Sequence, residues 1–423
     1  MPDVLTKSNL NRKVSAKLTE PYNVMSTFFF RRSVEKAFQL DESPPGLSLN
    51  LNKPIDGNAP YIISAVDDVM YIVSTVLQKS VSTSQKEVVA YVLPSVARIL
   101  GSDFIGMIQR KMRDESYPKP NVQGGMPPED KIVAFIVQIN SLDVSNEYLD
   151  RIVSARLGPE TDEQNGAPQG TGASNSSGNP LAASFPFDND VKFVTSALRT
   201  LHASFATKTS ELLADGLQVL FNNVVKLRLR QVLADTFRDA DYTLTEEELL
   251  EEAAVAAARH GDDPAVVDED EVLDRVQRQF ERGWDALMKP LARLMTPRSF
   301  ASLLDLTAKH LARVLERRVW SIGGGGGGSG GSSRVNAYGA IRMERDLNGI
   351  VGIVARGNYA LREVFAKVSQ ILMVANMDDE EWEELGGGEE GGGGGEGGDG
   401  EDDGMHWVLD EDERRRARNL VSV

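Results

Sequence analysis

Apolar residues recur at helical spacing through most of the chain. Between Tyr22 and Leu40, residues Phe30, Val34, Ala37 and Phe38 fall on one face, with Arg31, Arg32, Glu35 and Lys36 near its edge. That pattern predicts an amphipathic helix. A second helix is predicted behind Ser64, where Val66, Val69, Val73 and Val76 form a 3-4-3 seam and Ser64 with Asp67 approximates a capping box. Similar seams run through Val194, Leu198, Leu201 and Phe205, through Val225, Leu229, Val232 and Thr236, and through Leu361, Val364, Val368 and Ile371. Strand-like alternation is scarce. The stretch Ile132 to Ile139 has the β-branched density of a buried strand, but its helical surroundings favour a buried helix. The predicted fold class is all-α.

Between these segments the apolar period disappears. Pro, Gly, Ser and Asn accumulate over residues 114–130 and 158–189, residues 321–333 are mostly Gly and Ser, and 386–404 mix Gly with Glu and Asp. Such stretches bury too little apolar surface to offset the entropy of ordering, so they are expected to be flexible connections and disordered insertions. The domain plan that follows has an unassigned, disordered tail at 1–19 and a helical bundle at 20–320 with loops at 114–130 and 158–189. A linker at 321–333 then leads to a small C-terminal bundle at 334–423, which carries an insertion at 386–404.

Composition narrows the function classes. The chain has 423 residues, 41% of them hydrophobic, and no cysteine, which excludes disulfides, thiolate metal sites and a cysteine nucleophile. A net charge of −17 opposes general affinity for nucleic acid, which requires basic residues to displace counterions, and disfavours docking on anionic lipid. No apolar run reaches the ~20 residues of a membrane span. The best, Glu87 to Leu100, is interrupted by Pro94 and Arg98. Met1 to Leu18 has no apolar stretch behind its charges, so no secretory signal is expected.

Residues that suggest chemistry have plainer explanations. The glycines 323–328 with Ser329 lack the Gly-Lys-Ser/Thr ending of a phosphate loop, and a Gly-x-Ser-x-Gly elbow there lacks its strand-turn-helix setting. Asp399 to Gly404 with Asp410 spaces acidic oxygens somewhat like a calcium loop, but no helix leads into it and the bidentate Glu is missing. His202, His260, His310 and His406 are too scattered to pair on one helix face as zinc ligands. Asp67 and Asp68 suit the first turn of a helix, where they favour its dipole. No catalytic, cofactor-binding or metal-binding residue is assigned. One polar pair stands out: Lys367 beside its apolar seam and Glu413 at the start of the last helix are expected to form a structural salt bridge, against the alternative of a solvated surface pair.

Two separated blocks resemble a known family. The run Phe28 to Glu42 followed by Val66 to Val73 is similar to subunit four of the conserved oligomeric Golgi complex, a multisubunit tether for vesicles returning to and within the Golgi. Downstream, Met343 to Leu347, Leu361 to Ile371, His406 to Asp410 and Glu413 to Val421 resemble its closing helices in the same order, and 131–140 and 191–237 match more loosely. The resemblance implies elongated antiparallel helical bundles of the helical-rod type, no cofactor and no enzymatic activity. It implies a coiled-coil, peripheral subunit on the cytosolic face of the Golgi membrane. That subunit would serve protein transport, namely retrograde intra-Golgi traffic and enzyme retention. Implied partners are the other subunits of the complex and, through it, SNAREs, their cytosolic regulators and Rabs. The positions matching Lys367 and Glu413 likewise suit a basic and an acidic residue. Family members extend further on the N-terminal side, and Met1 to Thr19 has no recognisable counterpart. The alternatives are a helical adaptor unrelated to Golgi tethering and an enzyme with an unfamiliar site in a deep pocket.

Overall fold

A computed structural model describes residues 8–120, 125–158, 180–243, 245–248, 250–251, 274–323, 335–384 and 406–421. Among them the structure is helical, and the β-type pairing is a single parallel bridge between Val335 and Val421. The predicted insertions at 386–404, most of 158–189 and 321–333, part of 114–130, His260 and the calcium-like run 399–404 lie outside the described residues. The described end of the 158–189 segment is ordered, with a short helix at Pro180–Ser184.

Packing divides the chain into two compact units, one of Met1–Val224 with Lys289–Ser302 and one of Val225–Met288 with Leu303–Val423. This differs from a boundary at the 321–333 glycine tract. A glycine run marks where apolar periodicity stops, whereas compactness follows helix faces, and the dividing points fall inside helical segments.

In the first unit, α1 (Asn9–Val14) runs through a π-helical turn, Ser15–Thr19, into α2 (Glu20–Gln39). The 1–19 tail expected from sequence is therefore helical from Asn9, and the π-helical turn falls just before Pro21, which has no N–H to bond back into the preceding turn. Helix α3 (Ser64–Ser82) is followed by α4 (Lys86–Ile99), α5 (Ile105–Arg110) and two π-helical turns, Leu100–Phe104 and Lys111–Glu115, which keep 86–115 helical. Pro94, which with Arg98 interrupts the apolar run 87–100, sits on an exposed face within α4 and does not end the helix. The resulting helix is long and apolar enough to cross a membrane, unlike the run read from sequence, but half of that apolar window is buried inside the protein. Val88, Val92, Val96, Ile99, Phe104 and Ile108 spend its apolar face on the core.

Helix α6 (Glu129–Leu157) is the central element, buried on nearly all sides from Ile132 to Ser145. The ambiguous stretch 132–139 is thus helix, and its lack of amphipathic pattern reflects neighbours all round. α7 (Pro180–Ser184) and α8 (Asp188–Leu220) pack along α6, and α8 also packs on α4. All four expected seam residues of α8 are buried, and Phe104 bridges Phe38 and Phe205 with ring centres 5.7 and 6.1 Å away. The capping box expected at Ser64 and Asp67 does not form. Ser64 lies inside the first turn, its hydroxyl accepts from Glu42 N at 2.9 Å, and Asp41 accepts from Ala65 N at 3.0 Å. A distant carboxylate therefore caps α3.

The second unit contains α9 (Lys226–Thr236), most of α10 (Arg275–Leu294) and α11 (Pro297–Gly323), and α12 (Ala337–Val354). A 3-10 turn at Tyr359–Phe365 leads to α13 (Ala366–Asn376), α14 (Asp379–Glu384) and α15 (Glu411–Arg418). α13 packs against α12 and α15. The expected seam 361-364-368-371 shifts here: Leu361, Val368 and Ile371 are buried, but Phe365 replaces Val364. The 3-10 segment ends at Phe365, so the apolar period of α13 starts there rather than running on from Leu361. Likewise Leu233, rather than Val232, is buried on α9.

Candidate functional site

Among the described residues, polar side chains from distant parts of the chain meet at three places. Lys367, on α13, lies with its ammonium 2.5 Å from Glu413 and 3.1 Å from Glu316. Its pKa is raised, foremost by the hydrogen bond to Glu413. Glu413 is itself positioned by a capping box: Asp410 accepts from Glu413 N at 2.7 Å, and the Glu413 carboxylate accepts from Asp410 N at 3.3 Å. One carboxylate therefore caps α15 and reaches the lysine. Gln370, one turn along α13, donates to His406 O at 2.8 Å and accepts from Val408 N and Leu409 N at 2.8 and 3.2 Å. Arg416 stacks 4.4 Å over Trp320, and Arg418 binds Met377 O and Asp379. Sequence reading singled out Lys367 and Glu413 but missed Glu316 and Gln370, whose partners are distant in the chain.

A second clamp is buried. Tyr242 donates its phenolic hydrogen to Asp346 at 3.0 Å, and Arg342 donates to Asp241 O at 3.2 Å. Burial pushes the Asp346 carboxyl up to about 6, against the pull of the tyrosine hydrogen bond and of Arg342. Burial also raises the Tyr242 phenol, helped by the neighbouring Asp346 charge. Asn336 caps α12 through Gly339 N at 2.6 Å and donates to Thr243 O at 2.8 Å. Gly339 lies directly beneath the Tyr242 carbonyl, where a Cβ would collide.

The first unit has its own polar junction. Asn140, fully buried on α6, donates to Tyr61 O at 3.1 Å and Leu294 O at 2.7 Å and accepts from Thr296 N at 3.0 Å. Thr296 in turn donates to Asp143 at 2.6 Å. These bonds satisfy the chain reversal between α10 and α11. An open cleft of about 580 Å³ adjoins the junction, lined among others by Tyr61, Asp143, Tyr148 and Arg298. Asp346, whose carboxyl pKa burial raises, belongs to the second unit and lines no part of it.

Candidate metal ligands do not converge: among the described residues no group of three or more His, Asp or Glu side chains could hold an ion. His202 faces Asp150 at 3.6 Å, burial lowers the His310 pKa, and Asp410 serves as an N-cap. Asp67 occupies the first turn of α3.

The model of the family "Conserved oligomeric Golgi complex subunit 4, C-terminal" matches residues 135–416, and that of "COG4 transport protein, middle alpha-helical bundle" matches 1–112. The second match includes residues 1–19, which sequence reading left without a counterpart. The chain is 26% identical to conserved oligomeric Golgi complex subunit 4 of Arabidopsis thaliana, over 88% of this chain and 42% of that protein. It is 22% identical to the Saccharomyces cerevisiae subunit, over 69% of this chain and 30% of that protein, and 22% identical to the human one, over 84% and 41%. The chain thus spans less than half the length of these relatives. No solved structure matches it. With a family match running through both clamps of the second unit and through the central helix of the first, the chain belongs to the conserved oligomeric Golgi complex subunit 4 family.

Proposed function

We propose that this chain acts as a non-catalytic subunit of a Golgi vesicle-tethering complex, supporting retrograde intra-Golgi transport and the retention of Golgi enzymes. The observation that carries this reading is the family match across both compact units. An architectural role is supported by Asn140, Tyr242 and Lys367, whose side chains bond groups on distant segments of the chain. Rigid helical bundles supply reach and side-chain surface for docking. Its partners on this reading are the other subunits of the conserved oligomeric Golgi complex, with SNAREs, their cytosolic regulators and Rabs engaged through the assembled complex. It works peripherally, on the cytosolic face of the Golgi membrane.

Removal of the gene from its source cells tests this reading. Golgi-resident glycosyltransferases should then disperse and cell-surface glycans should be truncated, with both restored by re-expression. Normal glycans and enzyme positions after complete removal would instead favour a helical adaptor with no part in Golgi tethering.

A further inference from the structure

The cleft beside the polar junction of the first unit carries an acceptor that the joining of helices leaves open. It encloses about 580 Å³, within the range of small-ligand sites, and the residues that line it belong to that unit. Asp143 is its most deeply set charge, with a side chain only 9% exposed. One carboxylate oxygen, Oδ2, accepts from the Thr296 hydroxyl at 2.6 Å. The other, Oδ1, receives no hydrogen bond among the described residues and is not sealed from solvent. Arg298 Nε stands 3.9 Å from it, inside ion-pair range but too far for a hydrogen bond. Tyr61 and Tyr148 add aromatic rings to the lining, and the Tyr148 hydroxyl is tied to Asp67 on α3. Glu147 and Arg151 also line the cleft, but both are exposed and bond each other.

We infer that this cleft takes a cationic head group, a guanidinium or ammonium on an unbranched chain, with Asp143 Oδ1 as its acceptor. Other classes of ligand fail on features of the same cleft. An apolar group would bury Oδ1 with no donor to replace water. An anion would have to settle against a carboxylate that is held by Thr296 and largely buried, whereas the arginines that could attract it are exposed and Arg151 is engaged by Glu147. A metal ion lacks ligands, because among the described residues no group of three or more His, Asp or Glu side chains could hold one. A guanidinium or ammonium meets the open oxygen with a charge-assisted hydrogen bond, and tyrosine rings attract cations over their faces. Arg298 is the internal competitor. Its side chain is 68% exposed and stands near Oδ1 without bonding it, so an incoming cation can displace it into solvent at little cost.

The test titrates the full chain with end-capped Gly-Gly-Xaa-Gly-Gly peptides, in which Xaa is Arg, Lys, Glu or Leu, and with spermidine. The Arg and Lys peptides should bind at least about tenfold more tightly than the Glu and Leu peptides. Asp143→Asn, which can still accept from Thr296, should weaken cation binding about tenfold. Arg298→Ala, at an exposed position, should strengthen it about threefold by removing the competing charge. An anion site would respond with both signs reversed, and that result would overturn the inference. So would equal binding of all four peptides, or cation binding that neither variant changes. If Asp143→Asn does not fold, the peptide comparison and Arg298→Ala decide alone. Tighter binding of the Arg or Lys peptide than of spermidine assigns the head group to a protein side chain, and the reverse assigns it to a free polyamine; either order upholds a cation cleft. These titrations involve no other subunit, so their failure leaves the subunit reading standing, and the gene-removal experiment is equally indifferent to the cleft.

Discussion

Asn140 and Thr296, 156 residues apart, meet inside the first unit, where the asparagine side chain accepts the threonine backbone N–H at 3.0 Å. The same asparagine donates to the Leu294 carbonyl, so one side chain serves both sides of the reversal between α10 and α11. Asn140→Ala should destabilise the chain by about 2 to 4 kcal/mol, since it strands buried backbone groups. Asn140→Leu, which fills the volume, should give no rescue. Thermal melts of the two variants check this, and a wild-type melt for the leucine variant would show that volume rather than hydrogen bonding matters.

The Asp346 carboxyl ties pH to stability. Its folded pKa of about 6 lies above the ordinary value of 3.8, so the folded state holds a proton that the unfolded state has released. The group is therefore harmless below about pH 4 and destabilising as pH rises through 6, by up to roughly 3 kcal/mol at pH 7. Asp346→Asn, which keeps a polar group beside Tyr242, should gain stability relative to the wild type between pH 4 and 7. Denaturant melts of both proteins across that range should diverge, and parallel curves would sink the assignment.

Lys367 faces two carboxylates, which makes the two charge reversals unequal. Lys367→Glu gathers three acidic groups with Glu316 and Glu413, whereas Glu413→Lys leaves Lys367 paired to Glu316. We propose that this cluster holds the terminal helices, and Lys367→Glu should then lower the melting temperature more than Glu413→Lys. The double reversal should restore stability only in part, because the carboxylate introduced on α13 would still face Glu316. A double-mutant cycle should give a coupling of about 0.5 to 1 kcal/mol for these partly exposed groups, and zero coupling would reduce the pair to a solvated contact.

Two helical glycines of α12 should respond oppositely to alanine. Gly339→Ala places a methyl group against the Tyr242 carbonyl and should cost more than about 2 kcal/mol, because backbone must move. Gly352 has no atom within 4 Å of a Cβ, so Gly352→Ala should be neutral or stabilise by up to about 1 kcal/mol. Chemical denaturation of both variants checks the contrast.

The helices themselves were legible because burial follows apolar period, as Phe30, Val34, Ala37 and Phe38 and the whole α8 seam show. Phase was not legible across the change from 3-10 to α-helix, where Phe365 rather than Val364 is buried. Caps drawn from far along the chain were invisible: nothing near Ser64 signals that Asp41 would bond Ala65 N. The polar clamps divide in the same way. Lys367 and Glu413 could be paired because each borders a recognisable helix, whereas Asn140 and Asp143 read as interruptions of an apolar run until their partners near 296 are brought alongside.

Affinity capture of the full chain from its source cells, with bound proteins identified by mass spectrometry, tests the architectural account most directly. The account predicts recovery of the other conserved oligomeric Golgi complex subunits in fixed proportion to the chain. Capture of the chain without any of them would contradict it.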